Sequence, residues 1–314
     1  MPSLLSLGAA WLGLATIARA ACNGQDALCS RPYSNVTFVG SHNSAFVGLL
    51  PSQNQLLSVE DQLGLGVRFL QAQTHDLDGT IEMCHTSCIE LDQGSLTEYL
   101  GPIKTFMDAN PNEVVTLLLT NGDDIPVSKF ADVFAAVGLE QYAFTPSGAL
   151  SLSQWPTLQT MINDGTRLVI WMDYNSDTAT TPYILDEFAY CMCSVRWCPL
   201  RHPHQALLRS INYVADFETS YEVTDDAFPS CAIDRPSGAN ADGRMGLVNH
   251  MLHIDILGIQ IPDLINANKT NSLNSIDAQA GICEGLYGRT PNVILLDYVG
   301  LGDAMGAQAA LNGL

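Results

Sequence analysis

Basic residues are scarce in this chain: 13 Lys and Arg stand against 33 Asp and Glu, a formal charge of −20. A protein whose main partner is a phosphate backbone needs clustered Lys and Arg, and tight adsorption to an anionic lipid surface needs a polybasic patch. Charge excludes both roles, so no nucleic-acid partner is expected, and the acidic surface is most simply a solubility feature. Long apolar runs are also missing. Beyond residue 20 none reaches the ~20 residues that a membrane-spanning helix needs, and residues 300–314 carry no hydrophobic tail of the anchor type. Neither G-x-G-x-x-G nor G-x-x-x-x-G-K-[ST] occurs, which leaves nucleotide-binding folds unsupported. No Gly/Ser/Pro-rich linker divides the chain, whose length suits one large α/β domain.

One apolar run is present, from Leu4 to Ile17, followed by Ala18-Arg19-Ala20 with small residues at the cleavage positions. Residues 1–20 read as a secretory signal, although no Lys or Arg occupies the extreme N-terminus. The mature chain, residues 21–314, is expected to be secreted, soluble and monomeric. Two glycosylation sequons, Asn35-Val36-Thr37 and Asn268-Lys269-Thr270, suit that compartment. So do two close cysteine pairs, Cys22 with Cys29 and Cys84 with Cys88, each able to close a small disulfide ring. The second ring brackets His85.

Strand-like and helix-like segments alternate. Runs at 36–39, 67–73, 80–83, 113–120, 167–172, 246–251 and 292–297 read as buried strands. Helical spacing marks 54–64, 95–109, 128–137 and 158–163, and residues 183–190 read as a further helix. Apolar strands alternating with amphipathic helices give a parallel sheet covered on both faces. Polar residues repeatedly follow the strands, which favours one closed TIM-like (β/α) barrel over an open doubly wound sheet, with chemistry at the C-terminal strand ends.

Two histidines stand at such ends: His42 in Gly40-Ser41-His42-Asn43-Ser44, and His85 in Met83-Cys84-His85-Thr86. Imidazoles at the ends of successive parallel strands can act as general base and general acid across one bond, because histidine alone has an unperturbed pKa near neutrality. Asp173 and Asn249-His250 also follow strands. Asp173 suits a pocket role and a turn or cap role equally, whereas packing is the better reading of His250. Tyr174 and Tyr298 suit either stacking on a sugar-like ring or packing.

Residues 191–216 differ from their surroundings, with Cys191, Cys193, Cys198, three arginines, His202 and His204 in an otherwise acidic protein. A zinc site, an irregular insertion and translated non-coding sequence are the three readings. The ligands crowd too closely for a familiar zinc module, and removing the segment leaves six cysteines, an even number, so the latter two are preferred.

As a set, Gly40-Ser41-His42-Asn43-Ser44, Gly66-Val67-Arg68-Phe69-Leu70-Gln71-Ala72-Gln73, Cys84-His85, the run from Asn110-Pro111 to Leu119, and Leu295-Leu296-Asp297-Tyr298 resemble the X domain of phosphatidylinositol-specific phospholipases C. The secreted fungal branch of PLC-like phosphodiesterases is the most similar. The resemblance runs from Tyr33 to Tyr298 outside the unusual segment, and its motifs are specific together and weak singly. It implies a distorted TIM-type barrel that cleaves a phosphodiester. His42 would be the general base on the attacking hydroxyl, His85 the general acid on the leaving alkoxide, and Asp297 the carboxylate that orients His42. Each proton transfer is worth on the order of 10²–10⁴ in rate.

The departures from that family matter equally. Calcium-dependent members carry acidic residues, and metal-independent bacterial members an arginine, where this chain has Gln71 and Gln73. A further charged position falls at Thr120 or Asn121. Glutamines are poor ligands for a hard cation and bring no charge to a pentavalent transition state. No cofactor is therefore expected, and calcium would have to bind without its usual carboxylates. Asn43, Gln71, Gln73, Asn121 and Asp173 are the candidate substrate-binding residues. Compensating charge is left to Arg68, which strand alternation turns outward, or to a metal on His75, Asp76, Asp78 or Asp123.

The expected function is phosphoric diester hydrolysis or lysis of an inositol phospholipid, or a related exported phosphodiester, by two-histidine catalysis. The alternative is a barrel without turnover that serves as a secreted binding or surface-associated protein. Metal-dependent sphingomyelinase-D or glycerophosphodiesterase-like chemistry needs a carboxylate pair near the first histidine, and Gln71 and Gln73 speak against it.

Overall fold

The structure, a computed structural model, describes residues 21–148, 150–188, 216–221 and 223–314. The signal-like residues 1–20 and, apart from Asp216, the unusual 191–216 segment lie outside the described residues. In chain order the elements are β1 (Phe38–Ser41), α1 (Val59–Leu65), β2 (Phe69–Leu77), β3 (Thr80–Cys84), β4 (Asp92–Ser95), α2 (Leu96–Ala109), β5 (Val115–Asn121), α3 (Val127–Val137), α4 (Leu158–Asp164), β6 (Leu168–Met172) and β7 (Ile184–Asp186). After the undescribed stretch come β8 (Asp216–Thr219), β9 (Ile233–Arg235), β10 (Met245–Asn249), β11 (His253–Ile256), β12 (Ile259–Pro262), α5 (Ala267–Thr270), α6 (Leu273–Tyr287), β13 (Val293–Leu296) and α7 (Ala304–Leu311).

Eight strands pair in parallel in the order β7-β6-β5-β2-β1-β13-β10-β8, and β9 adds antiparallel to β8. No ladder joins β7 to β8 among the described residues. The N–H of Asp216 nevertheless donates to the Glu187 carbonyl at 2.8 Å, so the sheet curls into a TIM-like barrel with a seam between β7 and β8.

Strand alternation sorts the core into two layers. Val39, Leu70, Leu117, Ile170 and Ile294 face outward and meet Leu100, Ile103, Phe130 and Ile276 of the helices. Phe38, Phe69, Leu118, Trp171, Leu247 and Leu295 face inward and fill the barrel. Each such burial contributes roughly 1.5–3 kcal/mol. Gly40 lies inside this layer because a Cβ there would come within 2.8 Å of Leu295 and 3.0 Å of Phe69.

Helix boundaries follow their caps. Ser95 and Glu98 form a capping box that starts α2 where helical spacing placed it. In contrast, α1 begins at Val59, not near residue 54, because the Ser58 side chain accepts from Asp61 N–H and fixes the start. Of the stretch 183–190, residues 183–188 are described and are not a helix. Ile184 and Leu185 pair with Ile170 and Trp171 as strand β7, one facing each core layer, and that pairing overrides the local helical spacing. The strand before His85 also departs from expectation: β3 runs antiparallel to β2, in a hairpin extended by β4, rather than as the next parallel strand. Disulfides close at Cys22–Cys29 and Cys84–Cys88, and a third joins Cys231 to Cys283 on α6.

Candidate active site

Following the inward positions to the C-terminal rim gives one polar residue or more from every parallel strand: His42 after β1, Gln71 and Gln73 on β2, Thr120 on β5 and Asp173 after β6. Glu187 after β7, Glu218 on β8, Asn249 on β10 and Asp297 after β13 complete the ring. Most of them line a cavity of about 620 Å³, and His85 and Arg235 join them on its walls.

The His42 imidazole is held by Asp297, with Nδ1 2.7 Å from Oδ1, which leaves Nε2 as the nitrogen available for proton transfer. The same Oδ1 accepts from the Asn54 amide at 2.9 Å. Asn54 accepts from the Asn43 amide at 3.0 Å, and Asn43 N–H donates to Gln71 Oε1 at 2.7 Å. A further amide, Gln55, donates to the carbonyls of His42 and Leu296. Asn43, Asn54, Gln55 and Asp297 are all buried, so this chain of amides around Asp297 fixes the base at the top of β1 and β13. Asn43 has φ +48°, a left-handed conformation that asparagine tolerates.

His85 arrives from the β3 hairpin instead of from the barrel. The Cys84–Cys88 disulfide closes its loop, its N–H donates to the Leu91 carbonyl, and its ring meets the Phe46 edge at 5.3 Å. Thr86 N–H donates to Gln73 Oε1, pinning this loop to β2. Burial first, and the nearby His42 second, push the His85 pKa down to about 4, with Asp297 acting in the opposite direction.

The amides at the family's charged positions are committed to structure. Gln71 offers Oε1 to Asn43 and Nε2 to Thr120 at 3.3 Å. Asn43 Oδ1 is buried without a hydrogen-bond partner, yet one amide oxygen among glutamines is not a site for a hard cation, which prefers several carboxylate or carbonyl oxygens. These residues therefore do not fit calcium. The other metal candidates lie elsewhere: His75 pairs with Asp123 at 3.1 Å, Asp76 pairs with Lys129 at 3.3 Å, and Asp78 sits at the hairpin turn beyond them. None of the four lines the cavity, and no cluster suited to a metal occurs among the described residues. Arg68 faces outward, bonded to Glu113 at 2.7 Å and stacked on Phe106.

The opposite wall is ionic. Arg235 donates to Glu218 through Nε and Nη2 at 2.9 and 2.6 Å, and through Nη1 to the Tyr174 hydroxyl at 3.0 Å. Asp173 lies 3.8 Å from the guanidinium and accepts from Asn121 N–H. Burial pushes the Asp173 pKa up to about 7. Among the described residues Arg235 is the one Arg or Lys on the cavity wall.

Of the residues singled out from sequence, His42, His85, Asn43, Gln71, Gln73, Asp173 and Tyr174 border the cavity, and Asp297 lies directly behind His42. Asn121 does not border it. One position beyond the inward Thr120, its side chain turns outward and bridges to the Ile125 backbone. Tyr298 is buried and donates to the Gln53 carbonyl, out of reach of any ligand ring. His250 packs against Phe228 between Gln279 and the Thr270 carbonyl. Sequence reasoning missed Asn54, Glu187, Glu218 and Arg235. Alternation along 216–219 was a signal for Glu218, but no strand was assigned there; Arg235 is contributed by an antiparallel edge with no periodic signal.

A family model described as PI-PLC X matches residues 28–195 and 204–312, the break falling inside the unusual segment. A protein of Arthroderma benhamiae described as PI-PLC X domain-containing protein 1 is 45% identical over 320 residues, covering 97% of each chain. A second protein of that organism, described as an uncharacterized secreted protein, is 38% identical over 91% of this chain and 62% of its own length. Among solved structures, the phosphatidylinositol-specific phospholipase C of Listeria monocytogenes superimposes with TM-score 0.53 at 14% identity, covering 91% and 95% of the two chains. A mutant of the Staphylococcus aureus enzyme gives TM-score 0.56 at 15% identity over 90% and 93%. At such identities the structural likeness concerns the barrel fold.

Proposed function

This chain belongs to the PI-PLC X-domain family, and from that premise we propose that it is a phosphodiesterase in which His42 and His85 act as general base and general acid. The observation that carries the reading is the Asp297–His42 pair at 2.7 Å beside a cavity that His85 also borders. His42 Nε2 takes the proton of an attacking hydroxyl, and its oxygen bonds to phosphorus. The P–O bond to the leaving alkoxide breaks, and His85 gives that oxygen its proton. Asp297 stabilises the imidazolium formed on His42. His85 is predominantly neutral at pH 7 in the free protein; a bound phosphodiester anion favours its charged form and so arms it as the acid.

The substrate is an inositol phospholipid or a related exported phosphodiester. Donors and acceptors alternate on the wall formed by Asp173, Tyr174, Glu218 and Arg235, which suits a hydroxyl-rich headgroup. Exposed apolar residues surround the mouth: Leu49 is 78% exposed, Ile89 99% and Leu257 99%, each next to or on a loop that lines the cavity. With a charge of −20, contact with a lipid surface relies on such apolar tips. Export is supported by the apolar N-terminus, by three disulfides among the described residues and by a relative described as secreted. No helix among the described residues is long and apolar enough to cross a membrane.

A second reading, a binding barrel without turnover, is favoured by one observation: Gln71 and Gln73 put no charge beside the phosphate. Phosphatidylinositol in neutral vesicles decides between them, with calcium and with chelator, for the protein and for His42→Ala. Turnover that survives chelation and disappears in the variant is expected. Binding without turnover above the variant's background would establish the second reading.

A further inference from the structure

The seam between β7 and β8 holds a charge arrangement that the two histidines do not need. Glu187 is completely buried. Its N–H donates to the Met172 carbonyl and its carbonyl accepts from Asp216, so its backbone ties β6, β7 and β8 together. Its carboxyl is faced by Glu218 on β8, Asp173 after β6 and Arg235 on β9. Neither carboxyl oxygen accepts a hydrogen bond. One guanidinium serves this group of three carboxyls, and its hydrogen bonds go to Glu218 and Tyr174, with Asp173 left at 3.8 Å.

An ionised Glu187 would be an unpartnered buried anion beside a second anion, an arrangement that protonation relieves. A carboxylic acid instead has one O–H to give, and Glu218 has lone pairs to receive it. We propose that Glu187 carries a proton and donates it to Glu218, and that this hydrogen bond holds the Glu218–Arg235 pair against the cavity. Glu187 is then a positioning residue for the wall that receives the substrate headgroup, an assignment that rests on the phosphodiesterase reading for its role but not for its protonation. The pair is built to face the cavity: 29% of the Arg235 side chain stays accessible, against 3% for Glu218. Burial first and the Glu218 charge second hold the Glu187 carboxyl well above the ordinary carboxylate range, and Arg235 acts in the opposite direction.

A group protonated in the folded chain and ionised in the unfolded one gives stability that is present at low pH and lost as pH rises. Glu187→Gln keeps a donor and removes the titration. Its melting temperature minus that of the unmodified sequence is expected near zero below pH 4.5 and to grow by several degrees towards pH 8. With phosphatidylinositol vesicles, Glu187→Gln is expected to keep its KM, whereas Glu187→Leu, which has no donor, raises KM about tenfold with kcat little changed. Melting curves of the parent and Glu187→Gln that run parallel from pH 4 to 8 would overturn the proposal, as would a KM for Glu187→Gln as poor as that of Glu187→Leu. The melting series needs no turnover, so it judges the proton on Glu187 even if the phosphodiesterase reading fails. If Glu187→Leu does not fold, Glu187→Gln alone decides.

Discussion

The two walls of the cavity hold their polar groups by different means. Around His42 and Asp297 the partners are neutral amides, Asn43, Asn54, Gln55 and Gln71, each giving or taking hydrogen bonds within a buried chain. Around Arg235 three carboxyls meet a single guanidinium. Amides fix geometry without committing charge, so the histidine wall can gain and lose a proton within one reaction cycle. The ionic wall holds carboxyls that titrate: it can recognise a ligand, but its stability follows pH. The difference teaches where chemistry and recognition separate in this barrel.

The largest expected effect tests that separation. His42→Ala lowers kcat by on the order of 10²–10⁴, whereas Arg235→Met acts first on KM. Arg235→Met with a kcat loss as deep as that of His42→Ala would erase the distinction. The same variant takes the guanidinium away from buried Glu218, which costs about 3–5 kcal/mol near pH 7. Chemical denaturation at pH 7 measures this.

Asp173 gives an intermediate effect of defined sign. Its folded pKa of about 7 lies above the ordinary 3.8, so its contribution to stability is present below pH 4 and lost as pH rises to about 7. Asp173→Asn removes that loss, a difference on the order of a few kcal/mol at pH 7. His85 has the opposite sign, because a pKa of about 4 makes the fold lose stability as pH falls from 6.5. Variant-minus-parent differences, not the parent's own pH curve, are therefore the informative measurement. The smallest effect separates neighbours on β5. Asn121→Ala costs about 1–2 kcal/mol by releasing the Ile125 loop and leaves KM unchanged, because Asn121 faces away from the cavity that Thr120 borders.

The histidines and Asp297 were legible in the sequence, whereas of the ionic wall only Asp173 and Tyr174 were. His42, His85 and Asp297 each sit within a few residues of a continuous apolar run, so strand ends and local motifs locate them together. Glu187 and Glu218 flank the stretch between β7 and β8, where helical spacing misled the reading of 183–188. Arg235 reaches the cavity only because β9 folds back antiparallel on β8, pairing it with Glu218, and nothing local encodes that pairing. The orientation of His85 was misread for a related reason: β3 continues a hairpin of β2 rather than the parallel order. Alternation did succeed for Arg68, turned outward onto Glu113, and the same count applied to 120 and 121 would have set Asn121 aside.

The most direct test of the two-histidine mechanism varies the leaving group. Cleavage rates of an inositol phosphodiester with an alkyl leaving group and of its nitrophenyl counterpart, for the protein and for His42→Ala and His85→Ala, separate the two proton transfers. A nitrophenolate departs without protonation. His85→Ala is therefore predicted to lose on the order of 10²–10⁴ on the alkyl ester and far less on the aryl ester, while His42→Ala loses equally on both. Equal losses for His85→Ala on the two esters would contradict its assignment as general acid.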